Sequence, residues 1–361
     1  MDIIGYAQKN NKTFTEKPFD EIDAVMFAEF SYAKLEKVES YLGAKWSKRA
    51  TLKDYFRAEY FDEMFNDGIN DDENRRLTAA MASSKRYRDL QVRDVTSIIE
   101  ENVQFAAMTF EISSDTYAVA FRGTDGTMIG WKEDFELSYR DEIPSQREAV
   151  KYIEKHFGRM GKFAGKKLIL TGHSKGGNLA VYAACMCSPK INRNITAVFS
   201  LDGPGFNESI GVFMDEEISR RQLDIHRIIP QHSIVGLLFS GYEDCRIIKS
   251  DSWGINQHSA FSWEIEDDSF IYLDSPDWGS EFLNRTISTW LDNQTDEKRR
   301  IFVESIFDIL EANDIKNIVD LGNLSKMQII SLLKQIDPES HEVVSEVMKN
   351  LALSAVTNIK A

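Results

Sequence analysis

Cysteine is scarce in this chain. There are three in 361 residues, Cys185, Cys187 and Cys245, an odd number without regular spacing. That excludes a disulfide framework. Cys185-Met186-Cys187 lies inside a helical run without the two-residue gap of common metal or redox pairs, so these thiols read as buried. Long apolar runs are missing as well: nothing approaches the roughly 18 uninterrupted apolar residues of a membrane-spanning helix. Positive charge is short, with 43 Lys and Arg against 58 Asp and Glu and a net charge of −15. A nucleic-acid partner is thereby excluded, because phosphate backbones need a basic surface. The charge also argues against electrostatic attraction to anionic lipid, though an apolar patch could still touch one, and the acidity reads as solubility. The opening MDIIGYAQKNNKTFTEKPFDE has no basic segment leading into an apolar run, so the expected location is the cytoplasm.

What is present is a core-forming composition, 42% hydrophobic and 28% charged, in a length suited to one large domain with additions. Three zones are expected. Residues 1–98 read as a helical region packed on the core, with Ile22, Val25, Met26, Phe30 and Leu35 at helical spacing. Residues 99–276 alternate strands with helices: QFAAMTFEI, TYAVAFRG, KKLILTG, ITAVFSLDG, IHRIIP and DCRIIKS are apolar enough to be buried on both faces. That pattern predicts a mostly parallel central sheet flanked by helices. Residues 277–361 are helical again, with Asp337 as N-cap and Pro338 at the first position of a late helix.

The chemistry concentrates in LILTGHSKGGNLAVYAA, residues 168–184. Gly172-His173-Ser174-Lys175-Gly176 is a G-x-S-x-G match between a predicted strand and a predicted helix, the context a nucleophile elbow requires. Side chains at the glycine positions would collide with neighbouring backbone, and the turn thrusts the serine hydroxyl above the sheet edge. The Lys175 amide, at the helix N-terminus, is placed to donate to an oxyanion. A glycine-rich corner with an incidental serine is the plainer reading; the preceding strand, the third glycine and the small Ala180 and Ala183 weigh against it.

A serine hydroxyl needs a base, and on this fold the chain order is Ser, acid, His. His226 lies in a strand, His232 just after it, and His341 in the C-terminal helical zone. His258, in the loop SDSWGINQHSAFSW after a late strand, is the candidate base. Asp202, ending a strand before Gly203-Pro204-Gly205, leads for the acid, with Asp251 and Asp244 as competitors; turn initiation is its ordinary alternative. In AVAFRGTDGTMIGWKEDF, Thr124 is placed to supply the second oxyanion amide, its hydroxyl either holding that amide or donating directly. An Arg122–Asp134 ion pair is expected beneath this loop.

These segments resemble a known group. FRGTDGTMIGWKEDF is similar to the class 3 lipase pattern F-R-G-[ST] followed by W-x-x-D, and TGHSKGGNLA to its G-H-S-x-G-G elbow. With FDEIDAVMFAEFSY, LDGPGF and WGINQHSAFSW, they look like a bacterial family of lipase-like α/β hydrolases long catalogued as a domain of unknown function. The resemblance spans roughly residues 18–290. It implies an α/β-hydrolase fold with Ser174 as nucleophile, His258 as base and Thr124 at the oxyanion hole. The sequence departs from class 3 lipases where they carry their acid in an Asp-x-Val-Pro segment; the matching HSIVG offers Ser233. SLDGPGF instead resembles the GLDP segment of lipases of the pancreatic type, which favours Asp202.

The expectation is a serine esterase acting on a small-molecule acyl ester, with no metal or cofactor. A catalytically silent fold used for binding or regulation is the alternative. Leu237, Leu238, Phe239 and Tyr242 are candidates for an acyl pocket or lid, with core packing as the ordinary reading. The terminal helices permit self-association equally with simple covering of the core.

Overall fold

The computed structural model describes residues 1–42, 50–66, 68–158, 165–241 and 243–359. Seven strands lie side by side in chain order: β1 (Gln91–Glu100), β2 (Val103–Glu111), β3 (Thr116–Phe121), β4 (Lys167–His173), β5 (Ile195–Leu201), β6 (Ile225–Pro230) and β7 (Cys245–Ile248). A short strand, Tyr272–Leu273, closes the far edge against β7. Pairing is antiparallel from β1 to β3 and parallel from β3 to β7. The mostly parallel sheet flanked by helices is therefore present, with helical additions at both ends.

Strand order has a consequence for the layers. Crossovers between parallel strands are right-handed, so strands laid down in sequence put every crossover helix on one face. Helices Pro144–Phe157, Lys175–Met186 and Glu208–Arg221 share a buried cluster with Tyr117, Val119, Phe121, Leu168 and Leu170. The alternate residues Ala118, Ala120 and Ile169 face the other way, the period-2 alternation of a strand buried on both sides. That second face needs another cover, and the N-terminal helices supply it. Helix Glu21–Phe30 is buried from Ile22 to Phe30. It begins in a reciprocal cap: Asp20 accepts from the Ile22 and Asp23 amides, and Asp23 accepts from the Asp20 amide.

β1 begins within the stretch expected to be helical. A register shift between Arg93 and Thr96, with Asp94 at φ 56°, breaks the alternation that would have announced it.

The last helices gather over the carboxyl edge of the sheet. Helix Asp296–Ala312 packs on helix Met128–Glu136, with the Phe135 and Phe307 rings 5.8 Å apart. The Trp290 indole N–H donates to the Val347 carbonyl at 2.9 Å, tying in helix Pro338–Ile359, whose first turn Asp337 caps as expected. Lys316–Ile318 forms a strap across the loop after β3. The Met128 amide donates to the Lys316 carbonyl and the Ile318 amide to the Gly126 carbonyl, both at 2.8 Å. No described helix is long and apolar enough to cross a membrane. Cys185 and Cys187 are buried, free thiols, pushed by burial to about 12.

Candidate active site

The carboxyl ends of β3, β4 and β5 deliver Thr124, Ser174 and Asp202 to one edge, where parallel sheets bind their ligands. The elbow depends on missing side chains. A Cβ at Gly172 would lie 2.1 Å from the Gly176 carbonyl oxygen, and one at Gly176 would lie 2.2 Å from that of Phe121. Helix and strands approach this closely only because both positions are bare. Ser174 carries the strain of the bend, with φ 57° and ψ −132°. Such backbone persists at functional sites where surrounding structure over-determines it.

Asp202 is fully buried, with φ 47°. Its Oδ2 lies 2.6 Å from His258 Nδ1. Its Oδ1 accepts from the Ser233 hydroxyl at 2.5 Å and the Gly236 amide at 3.1 Å. Ser233, in the segment where class 3 lipases hold their acid, thus serves the Asp202 carboxylate instead. With the Nδ1 hydrogen given to Asp202, Nε2 of His258 keeps its lone pair, the tautomer a general base needs. His258 sits in a single helical turn, Gly254–His258, and is a quarter exposed. Both Ser174 and His258 line one cavity. Among the described residues no hydrogen bond joins the two side chains; in free hydrolases that bond often tightens only on substrate binding.

The other candidates are elsewhere. His226 stacks on Phe199 near the amino end of the interior strand β6, His232 packs edge-on against Trp253, and His341 is exposed on the last helix. Asp251 and Asp244 are exposed, and neither is bonded to His258.

Thr124 is close to the elbow, since a Cβ at Gly123 would lie 3.3 Å from that of Ser174. The Thr124 hydroxyl donates to Asp134 Oδ2 at 2.5 Å. Desolvation pushes the Asp134 carboxyl up to about 6 against the pull of Lys175 and of the Thr124 bond. With Asp134 ionised, the hydroxyl's one proton is committed, and the amide is the donor Thr124 can offer.

The expected Arg122–Asp134 pair does not form. The strand alternation that turns Ala118 and Ala120 toward the N-terminal helices carries Arg122 the same way. There it is buried against the Ser31 and Ala33 carbonyls and Glu36.

The Lys175 side chain, unremarked in the sequence, is fully buried and donates to Glu133 Oε2 at 2.9 Å and to Gln104 Oε1 at 2.6 Å. Glu133 also accepts from the amides of Gln104 and Ser145. This hub joins the elbow to β2 and to two helices.

The cavity, about 1040 Å³, is walled by Leu238, Phe239, Trp290, Phe302, Val303 and Val347 among others. The loop expected to line it divides: Leu237 packs into the core with Ile229 and Ile247, while Tyr242 lies outside the described residues. Sequence reasoning missed the C-terminal walls, along with His173 and Glu29 beside the elbow. Among the described residues no acidic, histidine or cysteine cluster suits a metal ion.

Sheet topology and the glycine-bounded elbow define a lipase-like α/β-hydrolase fold. The sequence pattern of the Mbeg1-like family matches residues 81–308, well over half the chain, and the chain belongs to that family. No curated protein matches the sequence. Among solved structures, it is similar to the mono- and diacylglycerol lipase from Aspergillus oryzae, with 14% identity over 72% of this chain and 87% of that one and a TM-score of 0.40. It is also similar to the Rhizomucor miehei lipase in its propeptide complex, with 13% identity over 63% and 67% and a TM-score of 0.36. Lipase II from Rhizopus niveus is a third, with 12% identity over 63% and 78% and a TM-score of 0.33.

Proposed function

We propose that the chain is a serine hydrolase that cleaves a carboxylic ester through an acyl-enzyme. The observation that carries this reading is the 2.6 Å bond from His258 to buried Asp202 on the cavity that Ser174 also lines. Ser174 Oγ attacks the ester carbonyl carbon while His258 Nε2 takes its proton. The amides of Thr124 and Lys175 receive the oxyanion, and Asp202 orients His258 and stabilises the imidazolium. Collapse expels the alcohol, which takes the proton from His258. Water then attacks the acyl-enzyme by the same route in reverse, with no metal or cofactor in either half. The apolar cavity walls support an acyl group as the part of the substrate held there.

The test is intact-mass labelling by a fluorophosphonate of wild type, Ser174→Ala and His258→Ala. One adduct is expected on wild type, none on Ser174→Ala and slow labelling of His258→Ala. Folded wild type that takes no adduct would refute the reading in favour of a binding module.

A further inference from the structure

A second histidine, which the proposed reaction does not use, lies against His258. His173 precedes the nucleophile and is buried, and its Nε2 is 2.7 Å from the His258 main-chain oxygen. A carbonyl oxygen can only accept, so Nε2 carries a hydrogen. Burial, with His258 nearby, pushes the His173 imidazole well below its ordinary value. The ring is therefore neutral near neutral pH, and Nδ1 is a bare lone pair. The atom facing Nδ1, at 3.0 Å, is Oε1 of Glu29, which is 2% exposed. The contact has the distance but not the alignment of a good hydrogen bond, and neither atom has another partner among the described residues. Two lone pairs at this separation repel unless a proton lies between them. Glu29 can hold that proton, because burial without a compensating cation pushes its carboxyl up to about 8. A small rotation of the protonated carboxyl aims its O–H at Nδ1.

We infer that Glu29 and His173 form a neutral, proton-sharing pair that positions His258 through its main-chain carbonyl. The inference rests on the reading of His258 as the base. Neutrality matters because the two imidazole rings are 4.6 Å apart. A charge on His173 would oppose the imidazolium that forms at His258 in each cycle. The grip has a second point: the Trp263 indole N–H donates to the Gln257 carbonyl at 2.9 Å, and its ring meets His173 edge-on. Consecutive carbonyls, of Gln257 and His258, are thus both held. Glu29 lies outside the family-matched segment, on the N-terminal helix that covers the sheet. That cover therefore also sets the base.

The experiment compares wild type, Glu29→Gln and Glu29→Met. It measures kcat and KM on a p-nitrophenyl acyl ester, fluorophosphonate labelling, circular dichroism, and the His173 tautomer by ¹⁵N NMR of histidine-labelled protein. Glutamine donates an amide N–H where the carboxyl donated O–H, so kcat should stay within about 3-fold; methionine fills the space without a donor and should lower kcat about 10- to 100-fold with KM unchanged. The ring should show the neutral Nε2–H form in wild type and in Glu29→Gln. Methionine matching wild type, glutamine failing as methionine does in folded protein, or an imidazolium or Nδ1–H signal would each overturn the pair. If wild type neither turns over nor labels, the hydrolase reading falls, and the NMR tautomer alone decides the pair.

Discussion

Replacing Glu29 by glutamine should also change how stability depends on pH, whether or not the chain turns over an ester. In the folded protein the carboxyl holds its proton to about pH 8, against an ordinary value of 4.5. Between those values the folded state binds a proton that the unfolded state has lost. Stability contributed by that proton is full below the unfolded value and falls as pH rises toward the folded one. Within the window the slope approaches about 1.4 kcal/mol per pH unit. Going from about pH 6 to about pH 7.5, on the alkaline side of the pI near 5.0, should cost wild type about 2 kcal/mol through this group. Glutamine has no proton to lose and removes the contribution. Urea unfolding of both proteins across that range would show the stability difference moving in favour of Glu29→Gln by about 2 kcal/mol. A difference that stays constant within about 0.5 kcal/mol would mean that Glu29 is ionised in the folded state, and the reasoning about its proton would be wrong.

Other perturbations bear on other parts of the site. Asp202→Asn should lower kcat by on the order of 10⁴ by favouring the wrong His258 tautomer; turnover within a few-fold of wild type would reject Asp202 as the acid. Lys175→Met strands the buried Glu133 carboxylate and should cost about 3–5 kcal/mol in urea unfolding; an unchanged midpoint would mean that the hub contributes nothing. Phe302→Ala removes an apolar wall of the cavity and enlarges it, so rates over a series of p-nitrophenyl esters should shift toward longer acyl chains. An unaltered chain-length profile would place the acyl group elsewhere.

Much of the edge that carries the candidate site could be placed from the sequence because its constraints are local. An elbow needs bare positions on either side of its serine, and those glycines are visible in any listing of the chain. Asp202 was legible through its place at the end of a strand, and His258 through its loop. What escaped detection depends on contacts between distant segments. Glu29 looks like one more polar residue in AVMFAEF, and only the sheet face above it reveals that it is sealed. Nothing in the sequence marks the Lys175 side chain until Glu133, 42 positions earlier, arrives beneath it. The sequence pairs Arg122 with Asp134, but strand alternation, not proximity in sequence, decides which side it reaches, and it meets Glu36 instead. The strap Lys316–Ile318 is too short to show a periodicity, and its hold on the loop is made by main-chain atoms that any residue carries.

That strap has a consequence in time. Synthesis runs from the N-terminus, so Ser174, Asp202 and His258 all leave the ribosome before Lys316 does. On the proposed reading, a nascent chain can hold its nucleophile, base and acid while the Thr124 loop still lacks the two hydrogen bonds that fix its far end. On that reading the segment that secures the Thr124 loop is made after the nucleophile, acid and base it serves, so a growing chain passes through a stage in which all three are present and the far end of the loop is not yet held.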